Sequence, residues 1–397
     1  MADPFEAIVG PQHVAHPDGA LLDGVPVDAV VRPRDAQELA ACLGRAKEHG
    51  LAVVACGGGT KLARANPCTA DRVVRLELGR LDNPIEVQPD EGIATLAAGA
   101  SIAAVARAAR DAGMWTRLDD GPGAATVGGS IAVDPLTLDA SLDRRLRNDL
   151  LGLEVACADG TLTHCGGRVV KNVTGFDLVR LYCGSFGTLG VMTRAIVRVH
   201  PRPEARRVSG RECASLEDAC AQARALADQR ADPAGVVVVP GEHGVRALWV
   251  LQGRVEEVTV RAVRAGGDAA SESDWDEARA LLAGEPRPGL VGLRLGARAS
   301  DTLALCAALA EAGAAVRLAL PAAGVAVGDC PEDALQGLLE RAARQRWLLR
   351  LESASPEVRR RFDAFGPEPD SLPLMRQVKR RFDPDGVLSP GRFAGRI

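Results

Sequence analysis

The chain has 397 residues, 47% of them hydrophobic and 25% charged, and a formal net charge of −4. That length admits about two or three domains with a sizeable core, and the slightly acidic balance gives no support to a nucleic-acid footprint, which is normally basic. Ten cysteines without a CxxC pair argue against a locally spaced zinc or iron–sulfur site and read as reduced thiols of a cytoplasmic protein. The opening MADPFEAIVG has no basic stretch followed by a long apolar run, and nowhere do about 20 uncharged apolar residues follow one another, so neither a secretory signal nor a transmembrane segment is expected. Aromatic residues make up 3%, which leaves the core to Ala, Val and Leu.

Residues 1–27 read as an N-terminal extension. A strand-like run, DAVVRPR (28–34), is broken by Pro33. Asp35 then opens a helix in which Leu39, Leu43 and Ala46 recur at helical spacing, and Gly50 stops it. LAVVAC follows as a short apolar strand and runs into Gly57, Gly58 and Gly59. Strand, helix, strand and turn in that order mark an α/β start. RVVRLEL (72–78) is a further strand, and residues 83–99 give two strands joined by a Pro-Asp-Glu-Gly turn. Ser101 caps a helix through Asp111. Residues 118–134 form a second glycine-rich turn, and LLGLEVACADGTLTHCGG a hairpin around Asp159-Gly160. The strand beginning at GTLGVMT ends at Pro201 and Pro203, which mark a domain boundary.

Beyond residue 204 helical and strand-like runs alternate twice, predicting two loosely similar α+β halves over about 205–352, with the Gly-, Ala- and Pro-rich residues 265–289 as a connecting excursion. The last stretch, from 371, carries a short basic helix and the turn-rich FDPDGVLSPGR.

The turn VACGGGTKLARANP (54–67) carries the functional question. The P-loop pattern fails, because Thr60 precedes Lys61 and no helix starts beside Asn66-Pro67. The dinucleotide pattern GxGxxG fails, because Gly57-x-Gly59 leads to Leu62. Two readings stand: a nest of backbone amides from Gly57, Gly58 and Gly59, with the Thr60 hydroxyl, turned toward an anion such as a diphosphate, or a strained surface turn. Rare residue types tilt the balance. The chain has only four lysines and one tyrosine, yet KNVTGFDLVRLYCGSFGTLGV (171–191) holds Lys171, Asn172, Phe176, Tyr182 and Phe186 together.

These three segments in this order resemble the FAD-binding domain of the vanillyl-alcohol-oxidase/p-cresol-methylhydroxylase (PCMH) type, over about residues 28–203. RPRDAQELAACLGRAKEHGLAVVACGGGTKL is similar to its entry helix and diphosphate loop, ATVGGSIA to its second flavin-contacting turn, and GSFGTLGVMT to the segment meeting the adenine end. Within that family, KNVTGFDLVRLYCGSFGTLGV is more similar still to the smaller FAD-binding component of bacterial glycolate oxidase, the GlcE type, and FDPDGVLSPGR resembles the closing motif of the superfamily.

The resemblance implies an α+β architecture: a two-lobed PCMH-type FAD-binding domain (28–203), an α+β, ferredoxin-like cap or substrate domain (204–352), and a C-terminal segment (353–397) packing back on the flavin domain. It implies FAD held on Gly57, Gly58, Gly59, Thr60 and Lys61, then on Asp120, Thr126, Val127, Gly128, Gly129 and Ser130, with Val191 offering backbone to the adenine. No His follows the first glycines, so the FAD is expected to be noncovalent. Departures are visible: residues 134–149, DPLTLDASLDRRLRND, lack the usual Gly, Asn148 replaces an Asp, Asp149 replaces an apolar ring, and Ser389 stands where Asn precedes Pro-Gly.

The resemblance also implies oxidation of a small 2-hydroxy acid, glycolate or D-lactate, alongside a larger FAD-binding subunit and an iron–sulfur subunit, with any membrane association peripheral and through partners. Among Arg-rich surroundings and six scattered His, the sequence assigns no catalytic base or carboxylate anchor. A stand-alone hydroxy-acid or alcohol dehydrogenase and an assembly subunit with a decayed flavin site are the competing expectations.

Overall fold

The computed structural model describes residues 3–118, 123–138, 145–168, 176–228, 231–241, 244–284 and 287–397. The chain divides into two compact units: residues 1–135, 146–202 and 359–397 form the first, and residues 136–145 and 203–358 the second.

In the first unit, β1 (Val25–Val31) leads to α1 (Ala36–Glu48), β2 (Ala52–Cys56) and β3 (Val73–Glu77). The Asp35 side chain caps α1 by accepting the Glu38 amide at 2.8 Å, and Leu39, Cys42, Leu43 and Ala46 turn one face into the core. β3 lies between β1 and β2 and runs parallel to both, so the end of β2 delivers Gly57 at the carboxyl edge of the parallel part of a five-stranded mixed sheet. That edge is where open α/β sheets place their ligands.

A second, antiparallel sheet follows. It is built from β4 (Ile85–Gln88), β5 (Ile93–Ala97), β6 (Leu150–Ala156), β7 (Leu162–Gly166) and β8 (Val191–Arg198), with α2 (Ile102–Asp111) and α3 (Val127–Val133) between β5 and β6, in the order β7-β6-β8-β5-β4. α2 is capped by the Ser101 hydroxyl. α3 occupies what reads in sequence as a plain glycine turn. Thr126 caps it by accepting the Gly129 amide, and Gly128 packs so tightly on Ala98 that no larger residue fits there. Gly128, buried against Ala98 just beyond β5, and the Thr126 cap on the Gly129 amide hold this stretch as a helix.

The second unit holds one eight-stranded antiparallel sheet. Its first half runs β9 (Ala205–Cys213), α4 (Leu216–Asp228), β10 (Gly235–Gly241), β11 (Gly244–Gly253), α5 (Val255–Ala265) and β12 (Asp268–Ala269). After α6 (Glu272–Ala283) the same order repeats as β13 (Leu290–Gly296), α7 (Thr302–Glu311), β14 (Ala315–Leu320), β15 (Val325–Pro331), α8 (Leu335–Gln345) and β16 (Leu348–Ser353). The strand order β12-β9-β11-β10-β14-β15-β13-β16 is two βαββαβ, ferredoxin-like repeats joined edge to edge. α6 lies in the stretch whose composition suggests an irregular excursion. The Gly and Pro residues sit only on its flanks, while Ser271 and Asp274 form a capping box, and Trp275, Ala278 and Leu282 pack on Leu318, Leu320 and Val237 of the sheet.

The chain then returns to the first unit. In α9 (Leu372–Phe382) the Lys379 ammonium is buried and donates to the Thr188 carbonyl (2.8 Å), the Leu388 carbonyl (2.7 Å) and Asp383 Oδ2 (2.6 Å). Its three donors are thus used. Burial pulls its pKa below the ordinary lysine value, and Asp383 opposes that fall. Asp383 in turn accepts the Val387 and Leu388 amides. This loop joins the edge of the parallel sheet, where the Val53 amide donates to the Val387 carbonyl at 2.7 Å and the Ser389 amide to the Val53 carbonyl at 2.8 Å.

Replacing Lys379 by Met strands the Asp383 carboxylate. We expect Lys379→Met to lower the unfolding free energy by about 3–5 kcal/mol, read from the shift in denaturant midpoint.

Candidate functional site

The strand-end turn of β2 and the cap of α3 touch. A Cβ on Gly57 would collide with the Thr126 hydroxyl, and one on Gly58 with the Ala124 carbonyl. Gly59 is in the left-handed region (φ 72°), with only Cys56 Sγ and Leu62 Cδ1 near its absent side chain, each at 3.8 Å. The triplet thus has two separate causes: close approach of a second backbone at the first two positions and backbone handedness at the third. The amides of Gly58, Gly59 and Thr60 donate to no backbone carbonyl among the described residues.

Beside this turn lies a cleft of about 770 Å³, its open mouth included. One wall is the turn from Cys56 to Leu62; the facing wall is Thr126, Gly128, Gly129, Ala132 and Val133. Phe186, Gly187, Gly190, Val191 and Met192 supply the apolar side, and Arg392 enters from the C-terminal segment. Phe186 is itself left-handed (φ 57°) and stacks edge-on against Phe365, with ring centroids 5.0 Å apart.

Of the residues expected to hold a dinucleotide, Gly57, Gly58, Gly59, Thr60, Lys61, Thr126, Gly128, Gly129 and Val191 come together on this cleft. Val127 and Ser130 are buried behind its wall in α3. Asp120, like Lys171 and Asn172, lies outside the described residues. Sequence reading singled out the segment of Phe186 and Met192 without naming these two as lining residues, and it missed Arg392. The only signal for Arg392 is its place in SPGR, three residues beyond the chain that pairs with β2. Cys56 lines the cleft as a buried thiol; burial raises its pKa, with Arg75 and Arg392 pulling the other way, so it is a poor nucleophile.

Arg392 is fixed by Asp23. Its Nη1 donates to Asp23 Oδ2 (2.9 Å) and its Nη2 to the Leu62 carbonyl (2.7 Å). Arg359 donates to the other oxygen of Asp23 (2.5 Å) and to the Ala65 carbonyl (2.7 Å). Burial raises the Asp23 pKa, but the hydrogen bonds and charges of the two arginines outweigh it and hold the carboxyl below its ordinary value. Asn66, fully buried, completes the seam: it donates to Asp363 and the Phe393 carbonyl and accepts the Ala364 amide.

A separate polar cluster joins Asp149, 1% exposed, to Arg117 (3.1 Å) and His200 (2.9 Å), with Trp115 against the imidazole at 5.2 Å between ring centroids. It accounts for His200, and for an Asp at position 149, as a tie between three segments.

A strand-end turn of small residues, two cationic side chains and an apolar side make this cleft the candidate site for a dinucleotide. Residues 27–166 match the family model for the FAD binding domain, and residues 366–393 that for the C-terminal domain of FAD linked oxidases. Over these segments the chain is similar to the FAD linked oxidases, and FAD is its cofactor.

Among curated proteins, the glycolate oxidase subunit GlcD of Bacillus subtilis (strain 168) is 32% identical over 181 residues, covering 45% of this chain and 38% of that protein. The D-lactate dehydrogenase of Archaeoglobus fulgidus is 34% identical over 190 residues (48% and 42%), and the mitochondrial D-2-hydroxyglutarate dehydrogenase of Bos taurus 31% over 213 residues (53% and 39%). The match thus spans about two fifths of the length of these relatives. Two solved structures share the fold at 14% identity: p-cresol methylhydroxylase with substrate bound (TM-score 0.72, covering 98% of this chain and 95% of that one) and alkyldihydroxyacetonephosphate synthase (0.71, 96% and 82%). Among the described residues no helix is long and apolar enough to cross a membrane.

Gly58→Ala must push the two turns apart. We expect it to lower stability by about 1–3 kcal/mol and to reduce FAD retained on purification, read by thermal melting and visible absorbance. Asp23 stabilises the fold fully above its unfolded pKa, near 3.8, and loses that contribution as pH falls through its lower folded value. Below about pH 4, the unfolding free energy of the wild-type chain should fall more steeply than that of Asp23→Asn, as measured by denaturant titration.

Proposed function

We propose that the chain is the smaller, GlcE-like FAD-binding component of a glycolate oxidase-like assembly. In this reading it takes part in oxidising a small 2-hydroxy acid and passes electrons through flavin to an acceptor, together with a larger FAD-binding subunit and an iron–sulfur subunit. One observation carries the reading: a cleft lined by Gly57–Lys61, Thr126, Gly128 and Val191 in an FAD-binding domain whose relatives are named for hydroxy-acid oxidation.

Bound noncovalently, FAD supplies the two-electron chemistry. The chain's own residues then have three tasks. Gly58, Gly59 and Thr60 present amides to the diphosphate, and Lys61 adds a positive charge beside them. The small residues of α3, Gly128 and Gly129, admit the flat part of the ligand to the wall. Phe186, Val191 and Met192 exclude water from the apolar side.

A second reading, a self-sufficient hydroxy-acid dehydrogenase, draws support from the D-lactate and D-2-hydroxyglutarate dehydrogenases matched at similar identity. Purification separates the two. The full chain, produced alone and then together with its candidate partners, is expected to be yellow in both cases, with its flavin bleached by anaerobic glycolate or D-lactate only in the co-produced complex. Bleaching of the isolated chain at full rate overturns the assembly reading in favour of the second, and a chain that stays colourless with added FAD overturns both.

A further inference from the structure

Lys61 and Arg392 are the cationic side chains lining the cleft among the described residues. They arrive there in different ways. Lys61 belongs to the glycine turn, whereas Arg392 reaches in from the other end of the chain and is 2% exposed. Its bond to the Leu62 carbonyl anchors the guanidinium on the residue that follows Lys61. Two of its five N–H donors are named by the bonds to Asp23 and Leu62. Asp23 is shared by Arg359 and Arg392, and the Arg392 guanidinium lines the cleft beside a turn whose amides face no backbone acceptor among the described residues.

We propose that Arg392 is a second cation for the diphosphate of FAD, and that Asp23 is the positioning residue that holds it there. This rests on the reading of the cleft as the FAD site. A diphosphate diester carries two negative charges, and Arg392 adds a second cationic side chain to Lys61 on the cleft wall. Asp23 lies outside both family-model matches and Arg392 inside the C-terminal one, so the two termini of the chain would complete a site that the central segment begins.

The test uses the full chain stripped of flavin, titrated with FAD, with ADP (the diphosphate without the isoalloxazine) and with riboflavin (the isoalloxazine without phosphate). Arg392→Gln should weaken FAD and ADP by about tenfold or more and leave riboflavin within about twofold. Arg392→Lys keeps the charge and cannot make both anchoring bonds, so it should melt as low as Arg392→Gln yet recover most of the ADP affinity. Asp23→Asn should weaken ADP with riboflavin unchanged. If Arg392→Gln does not fold, Lys61→Gln decides: ADP binding that still weakens with rising salt supports the second cation, and ADP binding indifferent to salt overturns it.

Equal loss of ADP affinity in the Lys and Gln variants, tracking melting temperature, overturns the proposal. So does an Arg392→Gln protein that binds ADP as the wild type does, or one that loses riboflavin as severely as FAD. A wild-type chain that refuses FAD overturns the flavin reading itself, an outcome distinct from a yellow wild type with unaltered variants.

Discussion

Two stretches of backbone, residues 57–58 and 124–126, share space that side chains would need. That contact sets the first unit in order. It forces glycine at two positions of the turn after β2 and locates the cap of α3 against that turn. It also brings the parallel and antiparallel sheets of the unit together on one cleft. The third glycine answers a different demand, a left-handed backbone, and so survives as a recognisable signature for its own reason. A run of three identical residues thus records two unrelated physical constraints.

The chain ends make the second layer of the design. The C-terminal segment does not merely lie on the first unit. It joins the parallel sheet through Val53, spends three ammonium donors of Lys379 on two carbonyls and Asp383, and is met by the N-terminal segment at Asp23. Such buried charge works only when every partner is present. A long excursion through the second unit is therefore compatible with a first unit made of three chain segments, because the closing contacts are specific rather than simply apolar.

Much of this was legible in the residues. Capping by Asp35 and Ser101, the strands at 73–77 and 85–97, the hairpin at Asp159-Gly160 and the repeated halves after 204 all follow from local chemistry that tertiary contacts leave intact. Helices α3 and α6 were not. α3 contains paired glycines that suggest a turn, and they are helical through the packing of Gly128 on Ala98 and the Thr126 cap; α6 is hidden by Gly and Pro residues that in fact lie outside its capping box. Nine of the residues expected on the dinucleotide line the cleft, and each belongs to one of three local motifs legible in itself. Arg392 could not be read the same way: its place depends on Asp23, 369 positions away.

The sheet of the second unit has a seam at its middle, where β10 meets β14 and the two βαββαβ repeats join. In each repeat that strand would be an open edge if its partner were missing, with amides and carbonyls facing solvent. Covalent linkage turns a would-be sticky border into an internal joint, so neither half is suited to life as a separate module. Each repeat is the other's cover, and its outward strands, β12 and β16, are left as the sheet's remaining borders.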